Sequence, residues 1–190
     1  MIFNLFAPYA EEFALFNLVR YTTFRAGAAC LTALVLSLAL GPAVIRWLRG
    51  FQRGGQPIRE DGPQSHLITK KGTPTMGGVL ILLALVLSTL LWVDLRNGMV
   101  WAVLFVTVGY GALGFADDWL KVTKRNTKGV SARMKLVWQA GVGLAGASWI
   151  ILLLPAPIAT GLALPVFKET LIPLGFAFPA IGMLVLMGAS

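Results

Sequence analysis

The sequence predicts an all-α, polytopic membrane bundle with about five transmembrane helices in this chain and its N-terminus outside. Three observations carry that prediction. Of 190 residues, 57% are hydrophobic and 13% charged, with a mean hydropathy of +0.77, too apolar for an ordinary soluble domain. Met76 to Val93 is uncharged and long enough to cross a hydrocarbon core of ~30 Å at ~1.5 Å per residue. The cations, finally, are gathered between the apolar runs.

Each element follows from local pattern. Met1 to Asn17 has no basic start and is interrupted by Glu11 and Glu12, which reads as a short interfacial helix and not as a cleaved signal peptide. The first span runs from about Phe24 to Trp47, with Pro42 near its end and Arg46 and Arg49 at its edge. Gly54-Gly55, Pro57, Gly62-Pro63 and Gly72 make the next stretch a long loop, about residues 48–75. Met76 to Val93 is the second span; Asp94, Arg96, Asn97 and Gly98 form a tight polar turn, and Met99 to Ala116 returns as the third. A second polar loop, about 117–135, precedes a fourth span from Leu136 to Leu154, whose Gly141, Gly143, Gly146 and Ala147 offer small surfaces for close helix packing. Pro155, Pro157, Gly161 and Pro165 break the helical pattern into an apolar connection read as a short hairpin against the membrane. A fifth span begins near Thr170. The single cysteine, Cys30, lies in an apolar run, so no intrachain disulfide is available. Residues 1–190 read as one membrane domain.

Charge sets the orientation. Six cations occupy the first loop (Arg46, Arg49, Arg53, Arg59, Lys70, Lys71) and six the second (Lys121, Lys124, Arg125, Lys128, Arg133, Lys135), out of 16 in all. The positive-inside rule makes both loops cytosolic. In a soluble chain a net charge of +8 would suggest nucleic acid; here it is accounted for by topology and the membrane lipid surface, and no nucleic-acid partner is expected.

Topology alone does not explain Asp117 and Asp118, two adjacent carboxylates where the third span ends. If that span continues as a helix, Asp117, Lys121, Lys124 and Lys128 share a face. An exposed i,i+4 salt bridge is one explanation. The other is a hard divalent ion, foremost Mg²⁺, which prefers carboxylate oxygens and completes its shell with water and substrate phosphate. Thr69 to Gly78, Thr-Lys-Lys-Gly-Thr-Pro-Thr-Met-Gly-Gly, combines glycine, hydroxyl and lysine in a composition suited to phosphate, without Walker spacing. His66, the one histidine, lacks neighbouring Cys or His and reads as an ordinary loop residue.

Taken together, Arg59-Glu60-Asp61-Gly62-Pro63, Ser65-His66, Lys70 to Gly78, Gly114-Phe115-Ala116-Asp117-Asp118-Trp119-Leu120-Lys121 and Lys128-Gly129-Val130-Ser131-Ala132-Arg133-Met134-Lys135 closely resemble the phospho-N-acetylmuramoyl-pentapeptide transferases, the MraY family. The related polyprenyl-phosphate N-acetylhexosamine-1-phosphate transferases share the Asp pair, but the full Gly-Thr-Pro-Thr-Met-Gly-Gly run is similar to the muramoyl branch. The resemblance implies a multi-pass enzyme of the bacterial inner membrane with a cytosolic active site. It would transfer phospho-N-acetylmuramoyl-pentapeptide from UDP-N-acetylmuramoyl-pentapeptide to undecaprenyl phosphate with Mg²⁺, giving lipid I and UMP for peptidoglycan synthesis; a homodimer is the assembly open to the complete protein. It also implies the roles. Asp117 and Asp118 are catalytic and metal-associated, with Asp117 toward the acceptor phosphate and Asp118 toward metal or donor. Lys70 steadies phosphate charge, Thr75 is a nearby donor, and Lys121, Arg125 and Arg133 contribute to substrate binding.

Members of the family are expected to have ten spans, a further essential aspartate, an Asn/Asp-rich segment and a histidine-containing loop that do not occur in residues 1–190. The expectation is therefore an N-terminal half, inactive by itself. A transporter would place ionisable groups near the midplane of the bilayer, which these spans do not. A non-catalytic polybasic membrane protein would account for the loops but not for the adjacent carboxylates.

Overall fold

The computed structural model describes residues 1–9, 14–52, 76–124, 129–155, 159, 161–164 and 167–188, and most of these are helical. They form two compact units, residues 1–96 with 114–130 and residues 97–113 with 131–190.

In the first unit the N-terminal segment is a series of single turns: α1 (Ile2–Phe6), a 3-10 turn at Ala7–Tyr9, α2 (Ala14–Asn17) and a second 3-10 turn at Leu18–Arg20. Pro8 lies in the first of these 3-10 turns, where its missing N–H costs least. The Phe6 and Phe16 rings meet at 4.8 Å. Helix α3 (Thr22–Phe51) is 30 residues long. At ~1.5 Å per residue it exceeds the ~30 Å hydrocarbon core, so Arg46 and Arg49 ride on a helix and not on a loop.

Helix α4 (Gly78–Trp92) packs on α3. A Cβ placed on Gly41 would sit 3.7 Å from Leu80, ordinary contact for two helices brought close. Ala84 and Ser88, four residues apart on α4, are buried. The Trp92 indole N–H donates to Thr32 Oγ1 at 2.9 Å, and that hydroxyl donates to the Ala28 carbonyl at 2.7 Å. With 15 residues α4 is shorter than the second span expected from Met76 to Val93.

The C-terminal carbonyls of α4 have no intrahelical donors. The Met1 ammonium donates to two of them, Leu90 at 2.6 Å and Leu91 at 3.0 Å. The polar turn is real and internally bonded. Asp94 accepts from Asn4 Nδ2 and from the Arg96 N–H, both at 3.0 Å, and Asn4 accepts from the Leu95 N–H at 3.2 Å. Asn97 then caps the next helix by accepting from the Met99 N–H at 3.0 Å.

That helix, α5 (Gly98–Thr123), contributes its residues up to Leu113 to the second unit and those from Gly114 to the first. In the second unit α6 (Ala132–Leu153) starts at Ser131, whose hydroxyl accepts from the Met134 N–H at 3.3 Å. Trp138 donates to the Gly109 carbonyl of α5 at 2.9 Å and Tyr110 Oη to the Gln139 carbonyl of α6 at 3.2 Å. Gly143, Gly146 and Ala147 of α6 are buried, whereas Gly141 is exposed. The reason is close approach: Gly146 lies against Val106, and a Cβ on Gly143 would be 3.5 Å from the Met183 backbone of the last helix.

After α6 the structure contains the hairpin expected from the proline-rich connection, as two antiparallel strands, β1 (Gly161–Leu164) and β2 (Phe167–Pro173). Gly161 faces Pro173 and Ala163 faces Leu171, with an irregularity between Ala163 and Leu164. The fifth apolar helix therefore starts later than Thr170. Thr170 lies within β2, Gly175 turns the chain at φ +51°, a 3-10 turn spans Gly175–Ala177, and α7 runs Phe178–Gly188. Pro179 in its first turn is where proline is tolerated in a helix.

Among the described residues three helices, α3, α5 and α6, are long and apolar enough to cross a membrane, and α4 and α7 are shorter apolar helices. The chain is a multi-pass helical membrane protein, with the two-stranded hairpin as a local departure from all-α structure.

Candidate functional site

Helix α5 is apolar through Ala116 and continues to Thr123, 26 residues in all. At ~1.5 Å per residue this is about 39 Å, so its last turns outrun a ~30 Å hydrocarbon core. Asp117 and Asp118 stand at that transition. Neighbours in sequence are ~100° apart on a helix, so the two carboxylates do not face one way. Lys121 is four residues from one and three from the other, which places its ammonium within reach of both. Lys121 Nζ lies 2.5 Å from Asp117 Oδ2 and 3.6 Å from Asp118 Oδ1. The order, acid before base at i,i+4 and a cation in the last turn, also suits the helix dipole.

The chain then folds back. The Val130 N–H donates to Asp117 Oδ1 at 2.8 Å, so both oxygens of Asp117 are engaged. Asp117 is 8% exposed, whereas the Asp118 side chain is 32% exposed and the more open of the two. The hydrogen bond that Lys121 donates to Asp117 raises the pKa of Lys121 above its ordinary value; partial burial pulls the other way, and the charges of Asp117 and Asp118 add to the rise. Lys121 is therefore a fixed positive charge at neutral pH.

Of the other expected site residues, Arg133 is exposed in the first turn of α6. There the helix dipole disfavours a cation, so its presence brings no benefit to the helix. Lys124 is exposed just after α5. Lys70, Thr75 and Arg125 lie outside the described residues, as do Lys128 and His66. Among the described residues no group of three or more His, Cys, Asp or Glu side chains forms a ready metal cage. Carboxylate oxygens are the donor type a hard divalent cation prefers, and of the two the Asp118 side chain is the more open to one, with water and phosphate completing the shell.

Two local features carry no assigned role in the sequence. Gly129 and Val130 bring backbone against Asp117; the available signal was that Gly129 is the one glycine between residues 117 and 135. Met76, immediately before α4, is 5% exposed and adopts φ 72°, a left-handed conformation rare for a residue with a side chain.

Met76 also falls inside the stretch that matches a known family. Residues 70–82 match phospho-N-acetylmuramoyl-pentapeptide-transferase signature 1. The whole chain is 66% identical over 190 residues to the phospho-N-acetylmuramoyl-pentapeptide-transferase of Granulibacter bethesdensis, covering 52% of that protein. Over its whole length the chain is similar to phospho-N-acetylmuramoyl-pentapeptide-transferases. Proteins of the same name from Gluconacetobacter diazotrophicus and Gluconobacter oxydans are 59% identical over 172 residues and 51% over 189, with 90% and 99% of this chain and 47% and 52% of theirs aligned. The chain thus spans about half the length of the curated phospho-N-acetylmuramoyl-pentapeptide-transferases it matches.

Proposed function

We propose that this chain supplies the carboxylate-bearing half of a membrane transferase that moves phospho-N-acetylmuramoyl-pentapeptide from UDP-N-acetylmuramoyl-pentapeptide to undecaprenyl phosphate, forming lipid I and UMP. The observation that carries the reading is the Asp117–Lys121–Asp118 cluster at the point where an apolar helix leaves its membrane-crossing length. A water-soluble nucleotide donor and a lipid-borne phosphate can meet only at such an edge. The gathering of loop cations on one side supports assigning this edge to the cytosolic face, and the proposal puts it at a bacterial inner membrane.

In the reaction an oxygen of the acceptor phosphate attacks the phosphorus attached to the sugar. The bond from that phosphorus to the bridging oxygen breaks, and UMP departs with the electron pair. Phosphoryl transfer of this kind depends on positioning and charge neutralisation more than on covalent chemistry by the protein. Lys121 supplies a fixed cation beside the carboxylates. Asp117, with both oxygens engaged, is assigned to ordering the acceptor side, and the more open Asp118 to the metal and donor. Mg²⁺ bound by Asp118 with Asp117 would offset phosphate charge. Lys70, Thr75, Arg125 and Arg133 complete the proposed contacts to donor phosphate and nucleotide.

The competing idea, a polybasic lipid-binding protein, gives nucleotides no role. With the protein expressed from its complete gene and placed in nanodiscs, UDP plus Mg²⁺ is expected to slow limited proteolysis in loops 48–75 and 117–135. At ~10 times the Kd the slowing should be about tenfold. Cleavage rates indifferent to UDP and Mg²⁺, yet sensitive to anionic lipid, would favour the lipid-binding protein.

A further inference from the structure

We infer that Gly129 is a positioning residue for this site: its lack of a side chain lets the loop backbone close on Asp117 and fix the orientation of that carboxylate. The inference rests on the transferase reading and names a residue that reading does not use.

The geometry leaves little room. Asp117 Oδ1 accepts the Val130 N–H at 2.8 Å while Oδ2 pairs with Lys121 at 2.5 Å, so the plane of the carboxylate is held from two sides. A Cβ built on Gly129 would collide with Asp117 Oδ1, lie 2.7 Å from Asp117 Cγ and come within 3.0 Å of Lys121 Cε. Gly129 is not among the residues with positive φ. Alanine would therefore meet no backbone penalty at this position, and the requirement for glycine is steric and directed at one carboxylate. Asp117 is short, buried and paired with Lys121, so moving it aside for a Cβ at Gly129 would disturb the ion pair or the Val130 hydrogen bond.

Closing Val130 onto Asp117 also ties both ends of the segment 118–129 to one point. A charge-assisted hydrogen bond from a backbone amide is among the stronger polar contacts available to such an anchor.

The test uses the protein expressed from its complete gene, in nanodiscs, with valine ¹⁵N-labelled. Gly129→Ala is expected to speed exchange of the Val130 amide on the order of tenfold, the loss of about one charge-assisted hydrogen bond. The same variant is expected to lower kcat for UMP release at least about tenfold while the KM for the nucleotide donor stays within ~3-fold, as for loss of an interaction used in the transition state. Asp117→Asn, which retains an oxygen acceptor for the Val130 N–H but not the ion pair with Lys121, is expected to keep most of the amide protection. Unchanged exchange in Gly129→Ala, or a wild-type kcat in that variant, overturns the positioning role. Absence of UMP release from the wild-type protein overturns the transferase reading itself, a result separable from the other two.

Discussion

Asp117→Asn in the protein expressed from its complete gene is expected to lower Mg²⁺-dependent UMP release by roughly a thousandfold while leaving membrane insertion and yield unchanged. The size of the effect follows from what the substitution removes. Asparagine has nearly the same shape, and its carbonyl oxygen still accepts the Val130 N–H that reaches Asp117 Oδ1 at 2.8 Å. The local fold is kept. What is lost is the negative charge 2.5 Å from Lys121, leaving that ammonium beside Asp118 alone. The balance of two acids and one base becomes one of each, and a cation drawn to the pair is held less well. Asp118→Asn should impair turnover as severely, because the more open carboxylate is the one assigned to metal and donor. The measurement is initial UMP release at saturating donor and acceptor, normalised to protein recovered from membranes. Turnover like that of wild type in either variant removes the residue from the site.

Gly146→Leu is expected to be the most destabilising single change in the second unit. Gly146 is buried on α6, and a Cβ there would overlap Val106 of α5, so a leucine must force two helices apart. Membrane helices associate through close packing with little hydrophobic drive, so lost contact is not repaid by burial elsewhere. Overpacking of this kind costs ~1–3 kcal/mol. For a chain of this length that corresponds to a fall of roughly 2–12 °C in Tm, read by fluorescence-detected size exclusion after heating. Gly141→Leu serves as the contrast. A Cβ at Gly141 meets nothing within 4 Å and the residue is exposed, so the gain in helix propensity, ~1 kcal/mol, should leave Tm unchanged or raised. Pairing Gly146→Ala with Val106→Ala should recover stability relative to Gly146→Ala alone, because the second change reopens the space the first one fills. No recovery would locate the strain elsewhere.

Those two glycines show how far the sequence can be read. Gly141, Gly143, Gly146 and Ala147 look alike as small residues on an apolar helix, yet Gly141 faces away and the other three are covered. The stripe is visible from composition; its direction depends on which neighbour arrives. Helices α3, α5 and α6 were legible because a long uncharged run has few other solutions in lipid. The start of α7 was not, because Leu171 and Ile172 extend the apolar run back toward Thr170, whereas Phe167–Pro173 takes strand structure by pairing with Gly161–Leu164. Pro173, the turn at Gly175 and Pro179 were the local signals that the helix begins at Phe178.

At the site, the spacing of Asp117 and Lys121 was enough to put both on one helical face, and the ion pair follows from it. The contribution of Gly129 and Val130 was hidden, since an amide carries no signature in sequence and its partner lies 13 residues away. Met76 is a similar case. Its buried side chain and left-handed backbone come from the way the chain enters α4, in a stretch where glycines at 77 and 78 drew the attention.

The most direct test of the account is UMP formation by the wild-type protein expressed from its complete gene, supplied with UDP-N-acetylmuramoyl-pentapeptide and undecaprenyl phosphate in nanodiscs, with and without EDTA. The account predicts UMP and a lipid-linked muramoyl product in equal amounts, abolished by EDTA and restored by Mg²⁺. Nucleotide left intact in the presence of Mg²⁺ and both substrates, by a protein correctly inserted, would contradict it.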